Sequence, residues 1–381
     1  MSIQIKLQVK AGNHDRNYCP VSFQILKAQS LINNTMLPDV QMHDESGNMV
    51  GVQCTEEADA YVIYWIIQDL RAHETMTYTV SFGGNVKSNA KSNARNVELR
   101  EKENQFDIVI DGQLATSFNT DPTLAKPFLG PVNGPYGKSY TRLDFETTEH
   151  PHHRSVWLGI GDINGVDAWN EPSGIYGKQK VDYIEKKSAG PVFASIVSEA
   201  EWTNFKGRSL MRDRRTITVY NTPAHARIID MSFMLSADYG RVELGATKEA
   251  GPLGIRVAET MSVDNGGTIV NAYGSVGEEE CWGKSAPWCD YHGNVDGHTL
   301  GIATFEDPNT TEFPTYWHIR NYGLIAPNNL YFQGGLLLGK GESIFYNYRM
   351  YFHEGNTEEA MVKDRYQDYI HPPKVEMIKD E

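Results

Sequence analysis

A chain of 381 residues with 40% apolar and 22% charged side chains has the make-up of a globular protein with more than one core, not of a low-complexity segment. Its net charge of −14 argues against nucleic acid and anionic membrane surfaces as main partners, because neither presents a positive field. Cys19, Cys54, Cys281 and Cys289 show no C-x-x-C spacing and read as isolated thiols, not a disulfide frame or a zinc knuckle.

The chain opens on alternation, Ile3, Ile5, Leu7 and Val9 against Gln4, Lys6, Gln8 and Lys10, which predicts a strand and offers no apolar core of signal-peptide length. Nowhere do about twenty apolar residues run together, so no membrane span is expected and the chain reads as cytoplasmic. Residues 61–67 (YVIYWII) are β-branched and aromatic, 76–82 (MTYTVSF) alternate, and 44–48 (DESGN) form a turn cluster. Together they predict a small β-sandwich over 1–85. Residues 83–96 (GGNVKSNAKSNARN) lack a hydrophobic period, and 86–96 is expected as a linker; the doubled KSNA is too short to signal a solenoid.

Strand signals then resume, clearest at 106–110, 194–197, 214–219, 227–233, 268–272, 300–305 and 343–352. Helical period is convincing only at 357–362, with Asn356 as N-cap. A long run of strands with one late helix cannot be doubly wound and must bury its sheets against each other. The expected fold class is therefore all-β, with a large antiparallel β-sandwich over 97–372 and a tail over 373–381.

Reactive groups concentrate at 149–157 (EHPHHRSVW) and 161–169 (GDINGVDAW). In extended structure His150, His152 and Arg154 would share one face, and two imidazoles so spaced can chelate a metal or divide acid and orienting roles. The bland alternative is a polar surface turn. Asn164-Gly165 signals a turn, and Asp162, Asn164 and Asp167 are oxygen donors around it, without the closing Glu of an EF-hand. Trp157 and Trp169 could stack on a sugar or fill a core. The stretch 279–293 mixes indoles, carboxylates, a phenol and an imidazole, including Trp288 and Asp290, and suits either a pocket rim or an ordinary loop. In 316–323 (YWHIRNYG) the period of two puts His318 and Arg320 on one face and Trp317 and Ile319 on the other. Arg256 ends a Gly-rich approach, 208–215 (RSLMRDRR) reads as a solvated strand face, and 353–355 (HEG) reads as a strand-to-helix turn. No G-x-S-x-G elbow and no H-E-x-x-H occur.

Pro127-Phe128-Leu129-x-Pro131, His150-Pro151-His152-His153-Arg154-x-x-Trp157, Gly161-Asp162-x-Asn164-Gly165-x-Asp167-x-Trp169, Trp288-x-Asp290-Tyr291 and Trp317-His318-x-Arg320-x-Tyr322-Gly323 resemble the DUF6807 family, often labelled "methane oxygenase PmoA". The resemblance covers roughly 97–370. It implies a galactose mutarotase-like β-sandwich and a setting in bacterial carbohydrate breakdown; the oxygenase label does not suit a chain without apolar spans. Two positions depart from the pattern: Ser155 stands where Gly is expected, and Ile160 where many members carry His.

The resulting expectation is a carbohydrate-active enzyme that cleaves a glycosidic bond of a sugar or keto-sugar by elimination or hydrolysis. His152 or His153, with a pKa near working pH, would be general acid/base and His318 its partner. Arg154, Arg320 and Arg256 would neutralise developing charge. Asp162, Asn164, Asp167, Trp157, Trp169, Trp288, Asp290 and Tyr322 would hold the sugar. No cofactor is required, although His150 and His152 could hold a divalent metal with a distant third ligand. The expected partner is a small carbohydrate, without nucleic acid or membrane, in a monomer or homo-oligomer. A mutarotase using one His/Glu pair, a non-catalytic sugar-binding module and a scaffold are the rival readings.

Overall fold

The computed structural model describes residues 3–27, 39–83, 96–143, 147–249 and 251–378. Of the expected linker only Asn96 falls within them. Two eight-stranded antiparallel sheets face each other. The first runs, in spatial order, Trp317–Arg320, Leu324–Pro327, Leu253–Arg256, Val156–Leu158, Phe128–Val132, Gln113–Asn119, Gln105–Ile110 and Val97–Lys102. The second runs Lys178–Ala189, Phe193–Thr203, Ser209–Tyr220, Ala226–Ser236, Ser343–Glu354, His298–Glu306, Trp288–Val295 and Thr268–Asn271. This is the expected large antiparallel sandwich.

Alternation decides what each sheet turns inward. From the first sheet Val156, Leu158, Leu253, Ile255, Trp317, Ile319 and Ile325 enter the core between the sheets; from the second, Ile217, Ile229, Tyr291, Ile302 and Phe352 meet them. The opposite face of the first sheet carries Phe128, Trp157, Leu324 and Ala326, packed with Trp169 as a separate cluster. His318 and Arg320 alternate with the inward-facing Trp317 and Ile319, so they belong to that same outer face.

The strand Lys178–Ala189 escaped the sequence reading because its charged, mostly exposed side chains are those of a protected edge strand. The Arg-rich run is solvated only in part. Arg212 and Arg214 face solvent, but Asp213 and Arg215 are buried as an ion pair, with the Trp202 indole donating to Asp213 at 2.5 Å.

Before these sheets come a five-stranded sheet and a three-stranded one (Arg16–Leu26, Ala60–Leu70, Val52–Glu56), which share a core containing Leu7, Val9, Trp65 and Tyr78. The stretch read as a C-terminal tail instead supplies a strand, Lys374–Ile378, paired antiparallel with Ile3–Lys10. Its Val375 packs on that core and its Glu376 meets Lys10 at 2.8 Å, partners too distant in sequence to be read from five residues of mixed polarity. The late helix also differs. Asn356 accepts from the Glu358 and Glu359 amides while Glu359 reaches back to the Asn356 amide, a capping box. Met361 at φ +50° then interrupts the turn, and the helix proper is Val362–Ile370. Its Arg365 donates to the carbonyls of Asp15 and Asn17 at 2.7 Å, tying the helix to the first strands.

Candidate functional site

The triple-imidazole segment is a turn laid over the first sheet's outer face. His150 sits at φ +47° and the His153 amide donates to the His150 carbonyl at 3.0 Å, so the period of two does not apply. His150 and His152 accordingly do not share a face; their rings meet edge to face, centroids 5.7 Å apart. His153 turns inward and stacks on Trp157 at 4.9 Å. Ser155 returns the chain to the sheet at φ +54°, a left-handed conformation that favours glycine. This explains why Gly is the expected residue there; the Ser155 hydroxyl offsets part of the strain by donating to Thr141 Oγ1 at 2.7 Å.

Two distant segments meet at this point. The His150 ring stacks on Tyr322 at 4.6 Å, and the Arg256 and Arg320 guanidinium carbons lie 4.8 and 5.9 Å from the centre of the same phenol ring. Glu149 gathers the cations, accepting from Arg142 at 2.7 Å and Arg256 at 2.6 Å and pairing with His150. Partial burial opposes ionisation, but the His150 and Arg142 hydrogen bonds and the Arg256 charge outweigh it and bring the Glu149 carboxyl to about 2.

The imidazoles are driven the other way. Burial, aided by the Lys126 charge, lowers His152 to about 4. Burial and the neighbouring His152 and Arg256 hold His153 well below its ordinary value. Arg256 Nη1 lies 3.2 Å from His153 Nδ1, and since a guanidinium only donates, His153 keeps its proton on Nε2. His152 Nε2 is buried without a hydrogen-bond partner. The expectation of a His152 or His153 titrating near working pH is therefore corrected: near neutrality both are uncharged.

His318 is 4% exposed, and burial with the Arg320 and Lys248 charges lowers it to about 3. The Trp282 indole N–H donates to its Nδ1 at 3.0 Å, so its proton too sits on Nε2. Arg320 is paired with Glu278 at 3.3 Å. On the other flank Arg154 forms a bidentate pair with Glu171, which also accepts from Lys126 at 2.6 Å. Lys126, 1% exposed and further tied to the Trp169 carbonyl at 2.8 Å, is lowered by burial to about 8 despite Glu171.

The remaining expected residues fall elsewhere or do other work. Trp157 and Trp169 are each 1% exposed beneath the histidines and offer no face to a sugar. Asp167 accepts from the Trp169 and Asn170 amides, Asp162 from the Gly165 amide, and Asn164 bonds the backbone at 241–243; all three hold the turn that seats Trp169. Ile160 lies in the core between the sheets, so that departure does not remove a side chain from this cluster. Trp288 and Asp290 belong to the second sheet. Trp288 packs with Tyr351 and Tyr366, and Asp290 is sealed against His353, His292 and Thr357. Among the described residues no group of three or more His, Cys, Asp or Glu side chains is arranged to hold a metal ion, so the distant third ligand expected beside His150 and His152 is not found among them.

Conversely, Lys126, Arg142, Glu171, Glu278 and Trp282 enter the cluster without having been singled out as site residues. Only the acid flanking the triple-His segment, Glu149, and the indole beside Cys281 stood in stretches dense enough to draw attention. Lys126 and Glu171 are ordinary surface types whose burial is a tertiary outcome.

The family described as "Family of unknown function (DUF6807)" matches residues 105–367, and the chain belongs to it. No curated protein matches. Among solved structures, a protein in the glycosyl hydrolase family 38 from Enterococcus faecalis has a TM-score of 0.47 at 9% identity, covering 99% of this chain and 48% of its own. An alpha-mannosidase from Enterococcus faecalis V583 has a TM-score of 0.46 at 10% identity, covering 99% and 46%. The chain thus spans about half the length of these two. Galactose 1-epimerase from Lactobacillus acidophilus NCFM has a TM-score of 0.32 at 9% identity, covering 69% of this chain and 99% of its own. No helix among the described residues is long and apolar enough to cross a membrane.

Proposed function

We propose that this DUF6807 chain is a carbohydrate-active enzyme that moves protons on a sugar or keto-sugar and opens a glycosidic bond by elimination or hydrolysis. The observation that carries the reading is the pairing of uncharged imidazoles with fixed cations on one sheet face: His152 beside Arg154, and His318 beside Arg320. His152, neutral near pH 7 and beside Arg154, is the group assigned as base, for a C–H next to a carbonyl or for water. His318, its Nδ1 occupied by Trp282, presents Nε2–H as the donor to a developing oxyanion, with Arg320 adding charge.

The rival mutarotase needs a carboxylate base, and Glu149 is a poor one, held at about 2 by Arg142, Arg256 and His150.

Product analysis and solvent-deuterium incorporation on glycosides and 3-keto glycosides test the reading. Wild-type protein is expected to cleave or exchange, with His152→Ala and His318→Gln each lowering turnover by about 10²- to 10⁴-fold while sugar binding persists. Binding without cleavage or exchange in the wild type would make the protein a sugar-binding module. Full turnover in His152→Ala would remove its role as base.

A further inference from the structure

We propose that a cavity at the end of the sandwich, where the turns at 111–113, 133–137 and 222–225 come together, binds a small organic oxyanion through Arg227. The ligand class is a carboxylate or phosphoryl group on a sugar-sized body. The cavity holds about 630 Å³, within the range of small-molecule sites, and contains none of the residues assigned to the proton-transfer cluster.

The argument rests on how this chain treats its other buried arginines. Arg16 and Arg365 share Asp368, Arg142 and Arg256 share Glu149, Arg215 faces Asp213, and Arg349 faces Asp230. Each buried guanidinium thus has a carboxylate within 4.0 Å, as expected where an uncompensated charge is expensive to bury. Arg227 is 5% exposed and has none among the described residues. Its Nε donates to the Asn133 carbonyl at 3.0 Å, and its Nη1 is buried without a partner.

Burial lowers Arg227 to about 10, and among the described residues the ionisable group acting on it is the Tyr140 phenol. The one carboxylate of the lining, Asp111, sits on the exposed rim with Gln113 and does not act on Arg227. The guanidinium fork therefore lacks the counter-ion that its six counterparts have, and it lines a cavity able to admit one. An oxyanion can accept from that fork, and Asn133, Gln113 and the exposed His225 surround the space left for hydroxyls.

Calorimetry and thermal shift on the full chain, with inorganic phosphate, glucuronate, glucose 6-phosphate and glucose as probes, test this. At least one anion is expected to bind and raise the melting temperature where glucose at equal concentration does not. Glucuronate against glucose 6-phosphate decides between carboxylate and phosphoryl recognition. Arg227→Met should weaken that anion about tenfold or more, with Arg227→Lys intermediate. Absence of anion binding up to about 10 mM, or unchanged affinity in Arg227→Met, overturns the proposal. Should Arg227→Met fail to fold, Gln113→Glu decides. It leaves the Arg227–Asn133 bond in place and sets a competing carboxylate at the rim, so affinity should fall about threefold, and unchanged affinity overturns the proposal. The readout is binding, and glycoside turnover should be the same in Arg227→Lys as in wild type, so failure here and failure of the catalytic reading are separable.

Discussion

The two eight-stranded sheets carry matching residue types on their outer faces, put to opposite uses. On the first, Glu149, His150, His152 and Tyr322 form a cluster whose acid is 44% exposed and whose His150 ring reaches partly into solvent, above the buried Arg142 and Arg256. On the second, Asp290 and His353 are each 0% exposed, and Asp290 spends both oxygens on His353, Thr357 and His292. Thr357 begins the segment leading into the helix Val362–Ile370, so that cluster fastens the end of the chain to the sheet. A carboxylate–imidazole pair is a lock where the acid is sealed inside the protein and a tool where the acid stays open to solvent; the residue types alone do not distinguish them.

Breaking the lock should have the largest effect. Asp290→Ala strips a buried pair of one partner and should lose about 3–5 kcal/mol in urea or thermal unfolding. A loss below about 1 kcal/mol would show that Asp290 is not the fastener described. Next comes the tool. Trp282→Phe removes the donor that sets the His318 tautomer and costs about one hydrogen bond, so turnover should fall about tenfold. Nitrogen chemical shifts of His318 should show the loss of a single tautomer, and a variant that keeps one tautomer refutes the role of Trp282.

The pH dependence of stability sharpens the contrast further. His152 and His318 take up protons near 6.5 when unfolded but only at about 4 and about 3 when folded. Between these values the unfolded chain binds more protons, so stability should decline as pH falls from 6.5 toward 4 and on toward 3. Melting temperatures of His152→Gln and His318→Gln should decline less over that window; slopes parallel to wild type would contradict the depressed values. Smallest is Ser155→Gly, which trades left-handed strain against the bond to Thr141. The two nearly cancel, so the melting curve should shift by less than about 1 kcal/mol, whereas Ser155→Val should be clearly worse.

Much of this fold is legible in short windows, because side-chain alternation along a strand is local geometry. Ile3–Lys10 and the opposed faces of His318 and Trp317 follow from period two alone. The same rule misreads His150, His152 and Arg154, since positive φ at His150 and a turn bond to His153 replace the extended chain that the rule presumes. Asp162, Asn164 and Asp167 look like ligand donors for the reason that they are good turn residues, and the turn is where their oxygens go.

By itself, then, the sequence determined the all-β class, the course of most strands, and the dense stretches around His150 and His318. Only the tertiary structure decided which groups meet: Glu149 with Arg256, Trp282 with His318, Asp290 with His353, and Arg227 with no carboxylate among the described residues. Alternation is a property of neighbours along the chain, whereas ion pairing and burial depend on how segments separated by 36 to 107 residues come together, which no local pattern encodes.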